Sequence, residues 1–358
     1  MIAYIAVRDL DYGVMAISGL CFLLCLGTTI SVLPWSRTLR HVHILVQFNI
    51  FWKARAFLLL IGGFWLLAQW LRLDAIWEPG SQIMSVRVTD WAKEGWMCRI
   101  YLVISLGLLQ PLFLFTALLL CRQSTSKTGA TKGDWPNRRI ICTAAVGTVP
   151  VFVIQLVIAF ISLAFKQQVG LGHRHSVLHH FFAPYAVGTP QECRLAEEPA
   201  SGVSCTRCAC PAAACIASVA LGACVLLLLL RATARMMRGV INRPLQRRIR
   251  IFHRTFAAAL VIHEAVQAVT TATSPFSWGF EVLWLASFLA LPVLVAATCL
   301  PLALLPVWDT LSAGRAWQLA GGGHEAPLQE SALLGKPPRA TVELNRASAR
   351  KEEQEPPL

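Results

Sequence analysis

Long apolar blocks separated by short polar connections dominate the chain. A membrane-spanning helix needs about 20 mostly apolar residues, and seven blocks approach or exceed that length. We predict spans at residues 13–33, 56–71, 100–121, 140–165, 211–230, 255–271 and 282–305. The pattern predicts an all-α membrane bundle over residues 13–308. A short segment, 1–12, precedes it, and a tail, 309–358, follows it with the polar composition of a disordered cytoplasmic segment.

The sixth block is the least apolar of the seven, because it contains His263, Glu264 and Gln267 and owes much of its apolar character to alanine. A charged residue at the centre of a bilayer costs roughly 2.5–3.5 kcal/mol on insertion scales. If this block did not span, the tail would lie on the opposite side of the membrane. The charges of the connections favour a span.

The connections alternate in charge along the chain. Residues 34–55 and 231–254 hold basic side chains and no acid, and 122–139 hold five basic side chains against one acid, whereas 72–99 and 166–210 are mixed. Because short cytoplasmic loops are enriched in Lys and Arg, this alternation predicts an N-terminus outside and a C-terminus inside.

The third basic connection is the most strongly charged. Its arginines are Arg231, Arg235, Arg238, Arg243, Arg247, Arg248, Arg250 and Arg254. Most of them recur at helical spacing, so we predict that they form basic stripes on extensions of the two neighbouring spans. The stripes are interrupted around residues 242–244, where a proline follows Asn and Arg.

Composition and net charge narrow the possible partners. The chain is 56% hydrophobic and 14% charged, against about 25% charged in ordinary soluble domains. Its net charge of +13 could suggest nucleic acid, but most of the excess lies in the connections beside apolar blocks, where topology accounts for it. We therefore expect a bilayer and anionic lipid headgroups as partners, leave open an acidic cytosolic partner at the arginines, and expect no nucleic acid.

Five of the twelve cysteines lie in segments that the topology places outside, where disulfides form. Cys98 opens the third span, and four cysteines follow in the fourth connection: Cys193, Cys205, Cys208 and Cys210. We predict a disulfide from Cys98 to one of these four, with Cys193 or Cys205 as the favoured partner. Alternatively, the C-x-x-C-x-C motif of Cys205, Cys208 and Cys210 would suit zinc, together with the nearby histidines His173, His175, His179 and His180.

His263, Glu264 and Gln267 form the principal polar cluster inside a predicted span. Ionisable residues within spans usually face the bundle interior and often mark a function. The spacing of Glu264 and Gln267 gives this helix one polar face, and Gln69, Gln110 and Gln155 are candidate partners on other helices. Two interpretations stay open: a ligand pocket, or a structural network of interhelical hydrogen bonds.

Seven spans with a cysteine at the start of the third resemble the heptahelical, G-protein-coupled-receptor-like proteins. The segments HVHILVQFNIFWKAR, LLQPLFLFTALLL and VINRPLQRRI are similar to a family of uncharacterised seven-span proteins of plants and algae. The marks of the rhodopsin-like receptors are missing, since no acid precedes Arg122 and the seventh span ends in LLPVWD. The resemblance implies a candidate receptor without an established activity.

No enzyme motif stands out: the chain has no P-loop, no G-x-S-x-G and no H-E-x-x-H. We therefore expect a non-enzymatic integral protein of the plasma membrane or endomembranes, without cofactor or metal. A receptor-like signal transducer is the first expectation, and a membrane scaffold without a ligand is the second. A transporter is the third, because no internal repeat supports it.

Overall fold

The computed structural model describes residues 2–38, 51–73, 76, 95–123, 135–169, 181–187, 206–239, 243–275, 277–305 and 308. Within these residues, seven helices are long and apolar enough to cross a membrane. Helices α1, α2, α4, α5 and α6 comprise Ile2–Thr38, Trp52–Ala68, Trp135–Val169, Ala212–Gly239 and Arg243–Ala272. Helix α3 joins Trp96–Tyr101, Leu102–Leu109 and Gln110–Gln123, and α7 joins Trp278–Cys299 and Leu300–Leu304.

The seven predicted apolar blocks are confirmed as helical. Helix α1 begins at Ile2, so the residues before the first apolar block are helical too. A 3₁₀ turn, Gln69–Arg72, extends α2. The described residues of the seven helices belong to one compact unit, Met1–Val307. The predicted disordered tail lies outside the described residues.

Two helices contain π-helical segments next to proline. In α3 the segment Leu102–Leu109 precedes Gln110 and Pro111, and in α7 the segment Leu300–Leu304 contains Pro301. Proline has no N–H, and its ring collides with the carbonyl four residues earlier, which for Pro111 is that of Gly107. A wider turn relieves this conflict without ending the helix. Such π segments often lie at functional sites.

The bundle interior is built mainly from α2, α3, α5, α6 and α7, around fully buried side chains such as Trp65, Phe113, Phe256 and Leu291. Large apolar side chains also cover the outside. Leu23 and Phe160 are each 62% exposed. Exposed apolar surface of this extent marks an interface, and on seven apolar helices it fits contact with lipid chains.

A short β-hairpin lies at the end of the bundle where α3, α5 and α7 begin. Strands β1, Tyr185–Val187, and β2, Thr206–Cys208, pair antiparallel, with Tyr185 opposite Cys208. We call this the disulfide end of the bundle. The opposite end, where α5 finishes and α6 starts, is the arginine end.

Candidate functional site

A disulfide between Cys98 and Cys208 ties the hairpin to the start of α3, with a Cα–Cα distance of 5.4 Å. The partner is one of the four candidates, but the preference for Cys193 or Cys205 is wrong for this structure; both lie outside the described residues. Cys210 is a free, buried thiol. Because Cys208 is bonded to Cys98, it is not available to the alternative zinc set. The histidines of that set also lie outside the described residues.

Two further contacts hold the hairpin against the helices. Gly95, immediately before α3, has a positive φ of 69°, and a Cβ at this position would lie only 2.6 Å from the Tyr185 ring. Glycine therefore allows β1 to approach the helix directly. On β2, Arg207 donates to Glu281 of α7 at 2.8 Å. The hairpin is thus fixed to both α3 and α7.

The carboxylate of Glu264 lies at a junction of three helices inside the bundle. Gln110 Nε2 of α3 donates to Glu264 Oε1 at 2.6 Å, and Ser218 Oγ of α5 donates to Glu264 Oε2 at 2.9 Å. Gln110 Nε2 also donates to Ser218 Oγ at 2.8 Å. We call these three residues the Glu264 node. Each is 6% exposed or less.

One side of α5 faces Glu264 and the other polar groups of this region. This side carries positions 214, 218 and 222, which are four residues apart. Position 210, four residues earlier and just before the helix begins, lies on the same side. At position 222 a glycine packs directly on Glu264, and a Cβ there would lie 3.2 Å from Glu264 Cγ. The backbone of α5 and the Glu264 side chain are therefore closely packed at this position.

The same side of α5 receives two more glutamines nearer the disulfide end. Gln155 Nε2 of α4 donates to the Ala214 carbonyl at 3.3 Å, and Gln267 Nε2 of α6 donates to Cys210 Sγ at 3.5 Å. Burial raises the pKa of the Cys210 thiol. Polar groups thus lie along α5 from just beyond the disulfide to the Glu264 node. We call Cys210, Gln267, Gln155 and the residues of the Glu264 node the polar column.

Three buried acceptors in this region have no hydrogen-bond partner among the described residues. The amide oxygens of Gln110, Gln155 and Gln267 are buried, and no donor among the described residues reaches them. A buried polar group that lacks a partner costs roughly 1–3 kcal/mol, so such atoms call for an explanation. Water molecules or a ligand with hydrogen-bond donors would satisfy them.

His263 connects a different set of helices. Its Nδ1 lies 3.2 Å from the carbonyl oxygen and 3.2 Å from the hydroxyl of Ser287 on α7. The ring meets Trp65 of α2 edge-on, with centroids 5.8 Å apart. Adjacent residues on α6 therefore serve two junctions, with His263 facing α2 and α7 and Glu264 facing α3 and α5.

The structure separates the three candidate glutamine partners. Gln110 contacts Glu264 directly, whereas Gln155 bonds to α5 near the node. Gln69 forms its own group, in which it donates to Ser105 Oγ at 3.3 Å and accepts from Tyr101 at 3.2 Å. Ser218 was not anticipated, because a single serine in an apolar helix carries no signal of its partner.

Arg72 is a second feature that the sequence did not single out, since a basic residue at the end of a span is ordinary. Its guanidinium lies over the rings of Tyr101, Phe280 and Trp284, at 5.9, 5.3 and 5.5 Å. Beside it is a cavity of about 30 Å³, lined also by the hairpin residue Arg207. A space of this size holds water rather than an organic ligand.

Both the hairpin contacts and the Glu264 node fall in a region that matches a known protein family. Residues 10–318 match the family described as Uncharacterised conserved protein UCP031277. The chain belongs to this family. The matched region includes six of the seven helices in full and most of α1. No curated protein matches the chain, and no solved structure matches it.

The arginines that were predicted to form basic stripes lie on helical extensions of α5 and α6, as expected. Arg231 and Arg235 are exposed near the end of α5, and Arg247, Arg248, Arg250 and Arg254 lie in the first turns of α6. The side chains of Arg238 and Arg243 lie outside the described set. The interruption predicted around residues 242–244 falls where α5 has ended and α6 begins.

Proposed function

We propose that the protein is a multi-pass integral membrane protein that acts as a receptor-like signal transducer. In this proposal the disulfide end faces outside, the arginine end faces the cytoplasm, and the protein resides in the plasma membrane or an endomembrane. The observation that carries the proposal is the Glu264 node, which links α3, α5 and α6 within the bundle. We assign no catalytic role to any residue.

A buried node of this kind suits a two-state element. An ionisable side chain inside a span is energetically costly, and its presence there suggests a functional site. Moving α6 away from α3 and α5 would break the bonds of 2.6 and 2.9 Å at Glu264. In this proposal the two bonds are made in one arrangement of the helices and lost in another, and a signal acts by favouring one of the two.

The polar column gives such a signal a route from the disulfide end. The unpartnered oxygens of Gln155 and Gln267 lie between the hairpin attachment and the node. A ligand with hydrogen-bond donors that reached these two oxygens would supply the missing partners and contact α4 and α6 together.

A membrane scaffold is the second candidate, favoured by the contact between Gly222 and Glu264. Because even a Cβ at position 222 would lie 3.2 Å from Glu264 Cγ, this packing leaves no room for another group on that side of the carboxylate. If the node is purely structural, its hydrogen bonds hold the three helices together in a single arrangement. Scaffold and receptor therefore differ in whether any ligand acts through the polar column.

Thermal-shift screening of purified protein against small-molecule libraries separates the two candidates. We expect a stabilising ligand whose effect is lost in the double variant Gln155→Leu, Gln267→Leu. Gln69→Leu is the matched control, because it removes a buried amide from a separate hydrogen-bonded group and should leave the ligand effect intact. Ligands that stabilise all these proteins equally, or no stabilising ligand at all, would contradict the receptor proposal and favour the scaffold.

A further inference from the structure

Three arginines at the arginine end of α6 line one open groove. Arg247, Arg250 and Arg254 are exposed, and with Ile251 they border a space of about 480 Å³. Successive residues of an α-helix are rotated by about 100°, so these four side chains fall within an arc of roughly 100° on one face. We call this set the arginine groove.

The same face continues along α6 as an exposed apolar surface. Val261, Ile262 and Val269 follow on this side and are 52%, 52% and 50% exposed. On the opposite side Phe252 and Phe256 are buried in the core. If α6 spans the membrane, the arginines therefore stand in line with the surface that touches lipid chains, at headgroup level.

Among the described residues, no acid lies close enough to pair with the arginines of the groove. The sequence from 231 to 255 contains neither Asp nor Glu, and among the described residues no carboxylate pairs with Arg247, Arg250 or Arg254. Guanidinium groups bind phosphate oxygens in bidentate fashion. The first and last of these arginines are about 10 Å apart along the helix axis, from the rise per residue, which spans a headgroup with several phosphates.

We infer that the arginine groove is a binding site for a phospholipid whose headgroup carries phosphomonoester groups. The arginines would bind the phosphates, and Ile251 with the apolar face beyond it would contact the glycerol and acyl region. Alignment with the lipid-facing surface favours a membrane lipid over a soluble acidic protein. The inference rests on the proposed membrane insertion of α6 but not on ligand binding near Glu264.

The test measures binding of the full-length protein in nanodiscs of neutral phosphatidylcholine to a fluorescent phosphatidylinositol 4,5-bisphosphate. The variant Arg247→Gln, Arg250→Gln, Arg254→Gln is compared with a matched control, Arg138→Gln, Arg231→Gln, Arg235→Gln. The control removes the same charge from exposed positions on α4 and α5 at the same end of the bundle. We expect about tenfold weaker binding in the groove variant than in the control, because the groove variant also loses charge-assisted hydrogen bonds to phosphate, which the control retains.

Two competition arms identify the source of the phosphates. Phosphatidylserine at equal total charge should compete poorly, and soluble inositol trisphosphate should compete poorly as well. Equal loss in both triple variants, or equal competition by phosphatidylserine, would overturn the inference in favour of general electrostatic attraction. Effective competition by the soluble compound would overturn it in favour of a free phosphate ligand. Extraction of the protein by alkaline carbonate would show instead that membrane insertion itself, and with it the proposed function, has failed.

Discussion

Replacing Ser218 with alanine should destabilise the bundle, because this hydroxyl is the hydrogen-bonded centre of the Glu264 node. It donates to Glu264 Oε2 at 2.9 Å and accepts from Gln110 Nε2 at 2.8 Å. After the change, Gln110 Nε2 keeps its bond to Glu264 Oε1, so the main loss is one partner of a buried carboxylate oxygen.

The size of the effect follows from this loss. A buried polar group left without its partner costs about 1–3 kcal/mol in soluble proteins, whereas interhelical hydrogen bonds in membranes average about 0.6 kcal/mol, with a maximum near 1.7. Since the lost bond involves an ionisable group and Ser218 is 1% exposed, we expect a loss of about 1–2 kcal/mol in the free energy of unfolding.

Equilibrium unfolding of the purified protein in mixed micelles, followed by tryptophan fluorescence, measures this difference. Ser31→Ala is the matched control, because the Ser31 hydroxyl is exposed and donates within its own helix, to the Gly27 carbonyl at 2.8 Å. The control should change the free energy of unfolding by less than about 0.5 kcal/mol. If Ser218→Ala costs no more than Ser31→Ala, the node does not hold the helices together and the reasoning fails.

Three further predictions concern the disulfide end. Gly95→Ala should lower the free energy of unfolding by at least about 2 kcal/mol, because it combines a left-handed backbone with a Cβ only 2.6 Å from the Tyr185 ring. Gly279→Ala is the control, since its Cβ would make only an ordinary contact with Ser277 Oγ at 3.9 Å, and it should be neutral or stabilising in the same unfolding assay. Burial raises the pKa of Cys210, so its thiol should stay protonated at neutral pH and react slowly with iodoacetamide. Mass spectrometry measures the extent of labelling, and the rate should rise as the pH approaches the raised pKa. Rapid labelling at pH 7 would refute the burial. Non-reducing peptide mapping should find Cys98 linked to the peptide of Cys208, and a free Cys98 would show that the hairpin is not tethered.

Periodicity and length were sufficient to predict the seven helices, because an apolar block of span length has few other folds open to it. The polar face of α6 followed from the spacing of Glu264 and Gln267. Periodicity identifies a face but not the helix opposite it, so the contact with Gln110, which is 154 residues away in sequence, was only one of three candidates. Ser218 gave no signal, since hydroxyls in spans commonly bond to their own helix.

The disulfide shows the same limit. Topology placed Cys98 and the loop cysteines on one side, but the partner depends on which segment forms a strand beside α3. The pairing of Tyr185 with Cys208, and the close approach that Gly95 permits, bring Cys208 to Cys98. Neither short strand has the length or alternation from which a strand can be predicted.

The orientation of the bundle is the claim on which both the receptor proposal and the lipid site depend. Glycosylation acceptors inserted after Gly170, in the loop that carries the hairpin, and after Gly239, at the end of α5, test it most directly in intact membranes. The account predicts modification after Gly170 and none after Gly239 or in the C-terminal tail. Modification after Gly239 or in the tail would contradict it, because the arginine groove would then face away from the cytoplasm.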